Sequence, residues 1–62
     1  MEPDELKAIR KALGLGQAQF GDALGLTQTF IGMMERGAKP IERRTMLAAR
    51  YLAEHPEVAS RD

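Results

Sequence analysis

Apolar side chains recur three or four residues apart in four stretches of this chain, a spacing typical of amphipathic α-helices. The first stretch, 4–13, places Leu6, Ile9 and Leu13 on one face of a helix, and Pro3 suits its first turn. The remaining stretches follow at short intervals, with no repeat and no long linker between them. The pattern predicts helices packed against one another and no strands.

The central stretch, 17–37, is typical of two short helices joined by a tight turn at Gly25. Thr27 is a good N-cap for the second helix, because its hydroxyl can accept a hydrogen bond from an unpaired backbone N–H. Gly21 lies inside the first helix, where glycine is unfavourable, so we expect the second helix to approach it closely. The predicted inward side chains are Phe20, Ala23 and Leu24 in the first helix and Ile31 and Met34 in the second.

A fourth helix is predicted from about Glu42 to His55, and Pro56 ends it. Residues 1–55 then form one all-α, four-helix domain, and 56–62 form a flexible C-terminal tail with room for a short fifth turn. The most regular inward positions of the fourth helix are Thr45, Ala48, Ala49 and Leu52.

Arg10 falls inside the apolar face of the first helix, so its head group needs an anionic partner. Glu35 is the best candidate, because a carboxylate in the last turn of a helix is unfavourable unless a tertiary contact compensates it. We therefore predict an ion pair between Arg10 and Glu35 that joins the first helix to the third. The alternative is that both are ordinary surface charges.

The formal net charge of the 62 residues is zero, but the charges are unevenly distributed. Residues 6–53 carry eight basic and three acidic side chains, a net charge of +5, whereas the two ends carry −5. A basic body of this kind can contact phosphates. The chain has no cysteine, its acidic start is unlike a signal peptide, and no run approaches the roughly 18 to 20 apolar residues of a membrane span. A cytoplasmic protein is expected.

Catalytic and metal chemistry find little support in the sequence. His55, the only histidine, stands beside Pro56 at a helix end and is interpreted as a C-terminal cap rather than a metal ligand. The acidic residues Glu2, Asp4 and Glu5 are explained by the helix dipole. We expect no enzyme, no metal and no cofactor.

Polar, glycine and apolar residues recur in a constant register: Arg10, Gln17, Phe20, Gly25, Thr27, Gln28, Ile31, Glu35, Arg36, Gly37 and Pro40. This set resembles the lambda-repressor-like, Xre/Cro-type helix-turn-helix domain. The resemblance covers roughly 5–53, and it implies a compact four-helix fold with a helix-turn-helix unit at about 17–36. It further implies a repressor-like transcription regulator from a bacterium or phage, which inserts 27–36 into the major groove of double-stranded DNA.

The resemblance also implies roles for single residues. Glutamine can match the N6 and N7 edge of adenine, and the methyl group of threonine can meet that of thymine. The implied base contacts are Gln28, Thr29, Gly32 and Met33, and the implied phosphate contacts are Gln17, Thr27, Arg36, Lys39 and Arg43. Because one such unit reads few base pairs, we expect a homodimer on a palindromic operator.

Two side chains leave a second interpretation open. Phe30 is either a residue at the border of the core or an exposed aromatic, and Met33 meets either a thymine methyl or a protein. The competing class is therefore a protein-interaction module, such as an antitoxin-like or adaptor domain, that uses the surface of Phe30 and Met33.

Overall fold

Five helices account for most of residues 1–59, the part of the chain that this computed structural model describes. The all-α prediction is confirmed, since 1–59 contain no strand. The helices are α1 Pro3–Ala12, α2 Gln17–Leu24, α3 Gln28–Glu35, α4 Arg43–Glu54 and α5 Pro56–Ala59.

The starts of α1 and α2 are closed by side chains one turn into each helix. The backbone N–H of Glu2 donates to the carboxylate of Glu5 at 3.1 Å, and that of Gly16 donates to Oε1 of Gln19 at 2.9 Å. Each bond satisfies a backbone N–H that would otherwise lack a partner at a helix start. Gln19 thus supports the N-terminus of α2 although Gly16 has no capping side chain of its own.

The core lies where α1, α2, α3 and α4 meet. α2 packs mainly on α3, whereas α1 packs on both α3 and α4. Four large side chains are completely enclosed there, and such burial is the main favourable contribution to the stability of a chain without disulfides. The buried apolar residues are Leu6, Phe20, Ile31, Met34, Ala49 and Leu52.

One predicted core residue is on the surface. Ala23 is exposed, whereas Phe20 and Gly21 are buried and Leu24 packs at the border of the core. The prediction for Ala23 is wrong because the turn that enters α3 packs over Gly21, which shifts the buried strip of α2 away from position 23.

The inward face of α4 agrees with the sequence pattern. Thr45, Ala49 and Leu52 are buried and Ala48 is half-buried. The small side chains at 48 and 49 favour close packing of α4 on its neighbours, α1 and α2.

α4 ends at Glu54 with His55 as its C-cap, and α5 begins immediately at Pro56, as expected for a residue that cannot continue a helix. The four described residues of the predicted tail are helical, and Ala59 packs against the core. The short fifth turn is therefore present. Residues 60–62, the rest of that tail, lie outside the described residues.

Candidate nucleic-acid interface

The connection between α2 and α3 is a tight turn that begins at a left-handed glycine. Gly25 has φ of 74°, a conformation that other residues rarely adopt. A Cβ at Gly21 would lie 2.7 Å from the backbone oxygen of Leu26, and the N–H of Leu26 donates to the carbonyl of Gly21 at 2.7 Å. The expected close approach at Gly21 is therefore present, and it comes from the backbone that enters α3.

The first turn of α3 is open to solvent. Gln28 and Thr29 are both exposed, and no hydrogen bond of either side chain occurs within 1–59. Thr27 caps the helix, since its Oγ1 accepts from the N–H of Phe30 at 3.1 Å. The hydroxyl proton of Thr27 stays available as a donor, so capping is compatible with a phosphate contact.

Arg10 and Glu35 form a two-point ion pair at the other end of α3, since Glu35 is the last residue of that helix. Nε of Arg10 donates to one carboxylate oxygen at 2.7 Å and Nη2 donates to the other at 3.1 Å, while Nη1 donates to the carbonyl of Leu15 at 3.0 Å. The side chains are 12% and 4% exposed, respectively, so this is a shielded pair. It holds α1 against the end of α3, as the sequence predicts.

Gln17 joins this network from the start of α2. Its Nε2 donates to the carboxylate of Glu35 at 3.2 Å. The sequence spacing gives no sign of this bond, because the two residues lie 18 positions apart on different helices. One N–H of the amide is thus committed to the protein, and the other remains for the phosphate contact that the family resemblance implies.

Protonation of the network follows from its geometry. Burial alone raises the pKa of Glu35, but hydrogen bonds from Arg10 and Gln17, with the positive charges of Arg10 and Lys7, outweigh burial and lower it. The hydrogen bond to Glu35 raises the pKa of Arg10, against the opposing effect of burial. Both groups are therefore charged at neutral pH.

Gly32 does not lie open beside Gln28 and Thr29 as expected. It is buried, because the side chains of Arg36 and Gln17 lie over it. A Cβ at Gly32 would be 3.1 Å from Nη1 of Arg36 and 3.7 Å from the amide atoms of Gln17. In this structure the surface at position 32 is thus formed by its neighbours.

Phe30 and Met33 differ in their surroundings. Phe30 is half-buried and packs against the core, so its interpretation as a border core residue is confirmed. Met33 is also half-buried but does not belong to the side chains packed against the core cluster. Phe30 is thus engaged by the core, whereas Met33 is the side chain of the two that stays free of it, on the surface that a protein-interaction module would use.

Two basic residues follow α3 in the chain, Lys39 in the loop after it and Arg43 at the start of α4. Lys39 and Arg43 are exposed, and neither forms an ion pair within 1–59. The backbone N–H groups of Ala38 and Lys39 donate to the carbonyl of Met33 at 2.8 and 3.3 Å, which fixes this segment against the helix. The next arginine, Arg44, is instead paired with Glu42 at 3.2 Å, on the surface.

His55 is the C-cap of α4, with its N–H donating to the carbonyl of Tyr51 at 2.9 Å. Its ring lies 4.5 Å from that of Tyr51, and its Nδ1 lies 3.6 Å from the carboxylate of Glu57. The described residues hold no group of three metal-ligating side chains, and none of their helices is long and apolar enough to cross a bilayer.

The α2–turn–α3 unit, braced by α1 and α4, defines a helix-turn-helix protein. A family model described as "Helix-turn-helix" matches residues 6–54, and the chain belongs to this lambda-repressor/Xre-like family of DNA-binding regulators, which is not an enzyme family. No curated protein and no solved structure gives a significant match.

Proposed function

We propose that this chain is a sequence-specific, repressor-like transcription regulator of phage type that reads the major groove with the first turn of α3. The observation that carries the proposal is the exposure of Gln28 and Thr29 at the start of a helix whose C-terminal end is anchored by Arg10 and Glu35. The glutamine amide presents a donor and an acceptor at once, as the adenine edge requires. The ion pair at the C-terminal end holds α3, and therefore its first turn, in a fixed orientation.

Phosphate contacts are proposed for the side chains around this edge. Lys39 and Arg43 are exposed cations in the segments that follow α3, and Gln17 and Thr27 each keep a free donor. These contacts orient the protein on the duplex but carry no sequence information. Arg36, the remaining phosphate contact that the resemblance implies, lies over Gly32.

A homodimer on a palindromic operator belongs to the same proposal. One α3 of eight residues reaches few base pairs, so two copies on half-sites about 34 Å apart provide useful specificity. The net charge of zero predicts weaker long-range attraction to DNA than a strongly basic domain would have, so a second copy on the neighbouring half-site supplies affinity that one copy lacks. We propose that the dimer forms on DNA. A cytoplasmic location and a bacterial or phage origin are part of this proposal.

Selection of bound sequences from a random duplex pool tests the proposal, followed by titration of the recovered site at several salt concentrations. We expect a palindrome and a linear fall of log affinity with log salt. Gln28→Ala is expected to relax base preference at one position per half-site, by about 1–3 kcal/mol.

Arg43→Ala and Arg50→Ala form a matched pair for the phosphate contacts, because both are exposed arginines on α4, seven residues apart. Arg43→Ala is expected to weaken binding to all sequences and to lower the salt slope by about 1, whereas Arg50→Ala has a smaller effect. Binding that is unchanged by Gln28→Ala and Met33→Ala and insensitive to salt contradicts groove reading and favours the protein-interaction module.

A further inference from the structure

Arg36 occupies the space that Gly32 leaves on α3. Positions 28, 32 and 36 are four residues apart, so they follow one another along the same strip of the helix surface. Arg36 stands at the C-terminal end of this strip, but its Nη1 lies 3.1 Å from the point where a Cβ of Gly32 would stand. The guanidinium group therefore lies one turn back along α3, toward Gln28.

No hydrogen bond or ion pair within 1–59 holds the guanidinium in this position. Arg36 is exposed and forms no hydrogen bond or ion pair with any other residue in that range. In contrast, Arg10 is held by Glu35 and Arg44 by Glu42. The five N–H donors of Arg36 are thus available to an external acceptor.

We propose that Arg36 is a specificity-determining residue, which reads a guanine from the place that the absent side chain of Gly32 leaves open. This inference rests on the proposed function. A guanidinium donates two parallel N–H groups to O6 and N7 of guanine, the commonest specific contact in the major groove. Gln28 and Thr29 suit adenine and thymine instead, so Arg36 adds a base that the first turn of α3 does not read.

The position over Gly32 favours a base contact over a phosphate contact. An arginine that extends outward from the end of α3 would meet the flanking backbone, as proposed for Lys39 and Arg43. The head group of Arg36 lies instead in the row of Gln28, over the middle of the helix, where α3 would face the base edges.

The test is selection from the random duplex pool with the full chain and with Arg36→Ala, Arg36→Lys and Gly32→Ala. We expect the parent chain to select a guanine, adjacent to the position that depends on Gln28. Arg36→Ala is expected to lose discrimination for that guanine alone, by roughly 5- to 150-fold, while the other positions keep their preference.

The two further variants separate charge from geometry. Arg36→Lys keeps the charge and therefore the salt slope, but an ammonium lacks the planar fork, so guanine discrimination falls. Gly32→Ala keeps Arg36 and displaces its guanidinium, so discrimination falls by less than with Arg36→Ala. Arg50→Ala serves as the control for loss of one exposed arginine, and circular dichroism melting verifies that each variant is folded.

Two outcomes overturn the inference while leaving the proposed function intact. In the first, Arg36→Ala weakens binding to all sequences equally and lowers the salt slope by about 1, which identifies a phosphate contact. In the second, the Gly32→Ala variant keeps the full preference for guanine. That result would mean that Arg36 does not reach the base across position 32. A parent chain that selects no sequence at all contradicts the proposed function itself.

Discussion

Gly21 and Gly32 are both buried glycines inside helices, yet their neighbours differ in kind. A Cβ at Gly21 would meet backbone, with the oxygen of Leu26 at 2.7 Å and the carbonyl carbon of Thr27 at 3.2 Å. A Cβ at Gly32 would meet only side-chain ends, with Nη1 of Arg36 at 3.1 Å and the amide of Gln17 at 3.7 Å. The first set of neighbours is fixed by the fold, and the second can move.

The comparison shows that burial alone does not tell what a glycine does. At Gly21 the missing side chain lets the turn into α3 approach α2, so the residue serves the fold. At Gly32 the missing side chain makes room for the guanidinium of Arg36, so this glycine shapes the exposed surface of α3. Stability measurements separate these roles without any DNA.

Glu35→Gln is expected to have the largest effect, because Glu35 anchors α3 and holds Gln17 beside Gly32. The variant leaves the shielded Arg10 without an anion, which costs on the order of 3 kcal/mol of unfolding free energy. Chemical denaturation measures the change. Glu42→Gln, which breaks the exposed pair with Arg44, is the control and is expected to cost at most about 1 kcal/mol. Equal effects would contradict the anchoring role.

Acid is expected to remove part of the same stabilisation. The pKa of Glu35 is lower in the folded protein than its ordinary value, so its contribution is complete above about pH 5 and declines as pH falls through the folded pKa. The difference in unfolding free energy between the parent chain and Glu35→Gln should therefore shrink below about pH 4. A difference that stays constant down to pH 2 would mean that Glu35 does not titrate there.

Alanine at each glycine tests the comparison directly. Both substitutions gain about 1 kcal/mol in helix propensity, so the difference between them reports the neighbours. We expect Gly21→Ala to be less stable than Gly32→Ala by about 1–3 kcal/mol, because backbone must move at position 21 while only the end of Arg36 moves at 32. Thermal melting of both variants measures it, and equal stability would refute the distinction.

Thr27→Ala is expected to have the smallest effect, a loss of about 1 kcal/mol from the cap of α3. Thr29→Ala is the matched control, since this exposed threonine two residues later forms no side-chain hydrogen bond within 1–59, and its change should stay within about 0.5 kcal/mol. A loss at 29 as large as that at 27 would show that the start of α3 depends on more than its cap.

Local rules were sufficient for most of the fold. Helical spacing, Gly25, the Thr27 cap and Pro56 predicted four helices and their ends to within a few residues, because each acts through neighbours in the chain. The pairing of Arg10 with Glu35 was predictable although they are 25 residues apart. Arg10 is a cation on an apolar helix face and Glu35 is a carboxylate in the last turn of a helix, and each unfavourable position is compensated by the other residue.

The sequence did not predict the surroundings of residues whose burial or partners depend on how the helices cross. Ala23 has the spacing of a core residue, but the buried strip of α2 is set by the turn into α3. Gly32 was expected on the open face, and only the path of the Arg36 side chain shows it to be covered, although the i, i+4 spacing offered a signal. The hydrogen bond from Gln17 to Glu35 joins two helices and left no trace in either pattern.

The carbonyl of Met33 receives hydrogen bonds from both Ala38 and Lys39, so the loop after α3 is fastened to the helix that it leaves. If α3 tilts on a partner surface, the backbone of Lys39 therefore moves with it. The spacing between the first turn of α3 and Lys39 is therefore fixed by these hydrogen bonds, and a longer loop would change it.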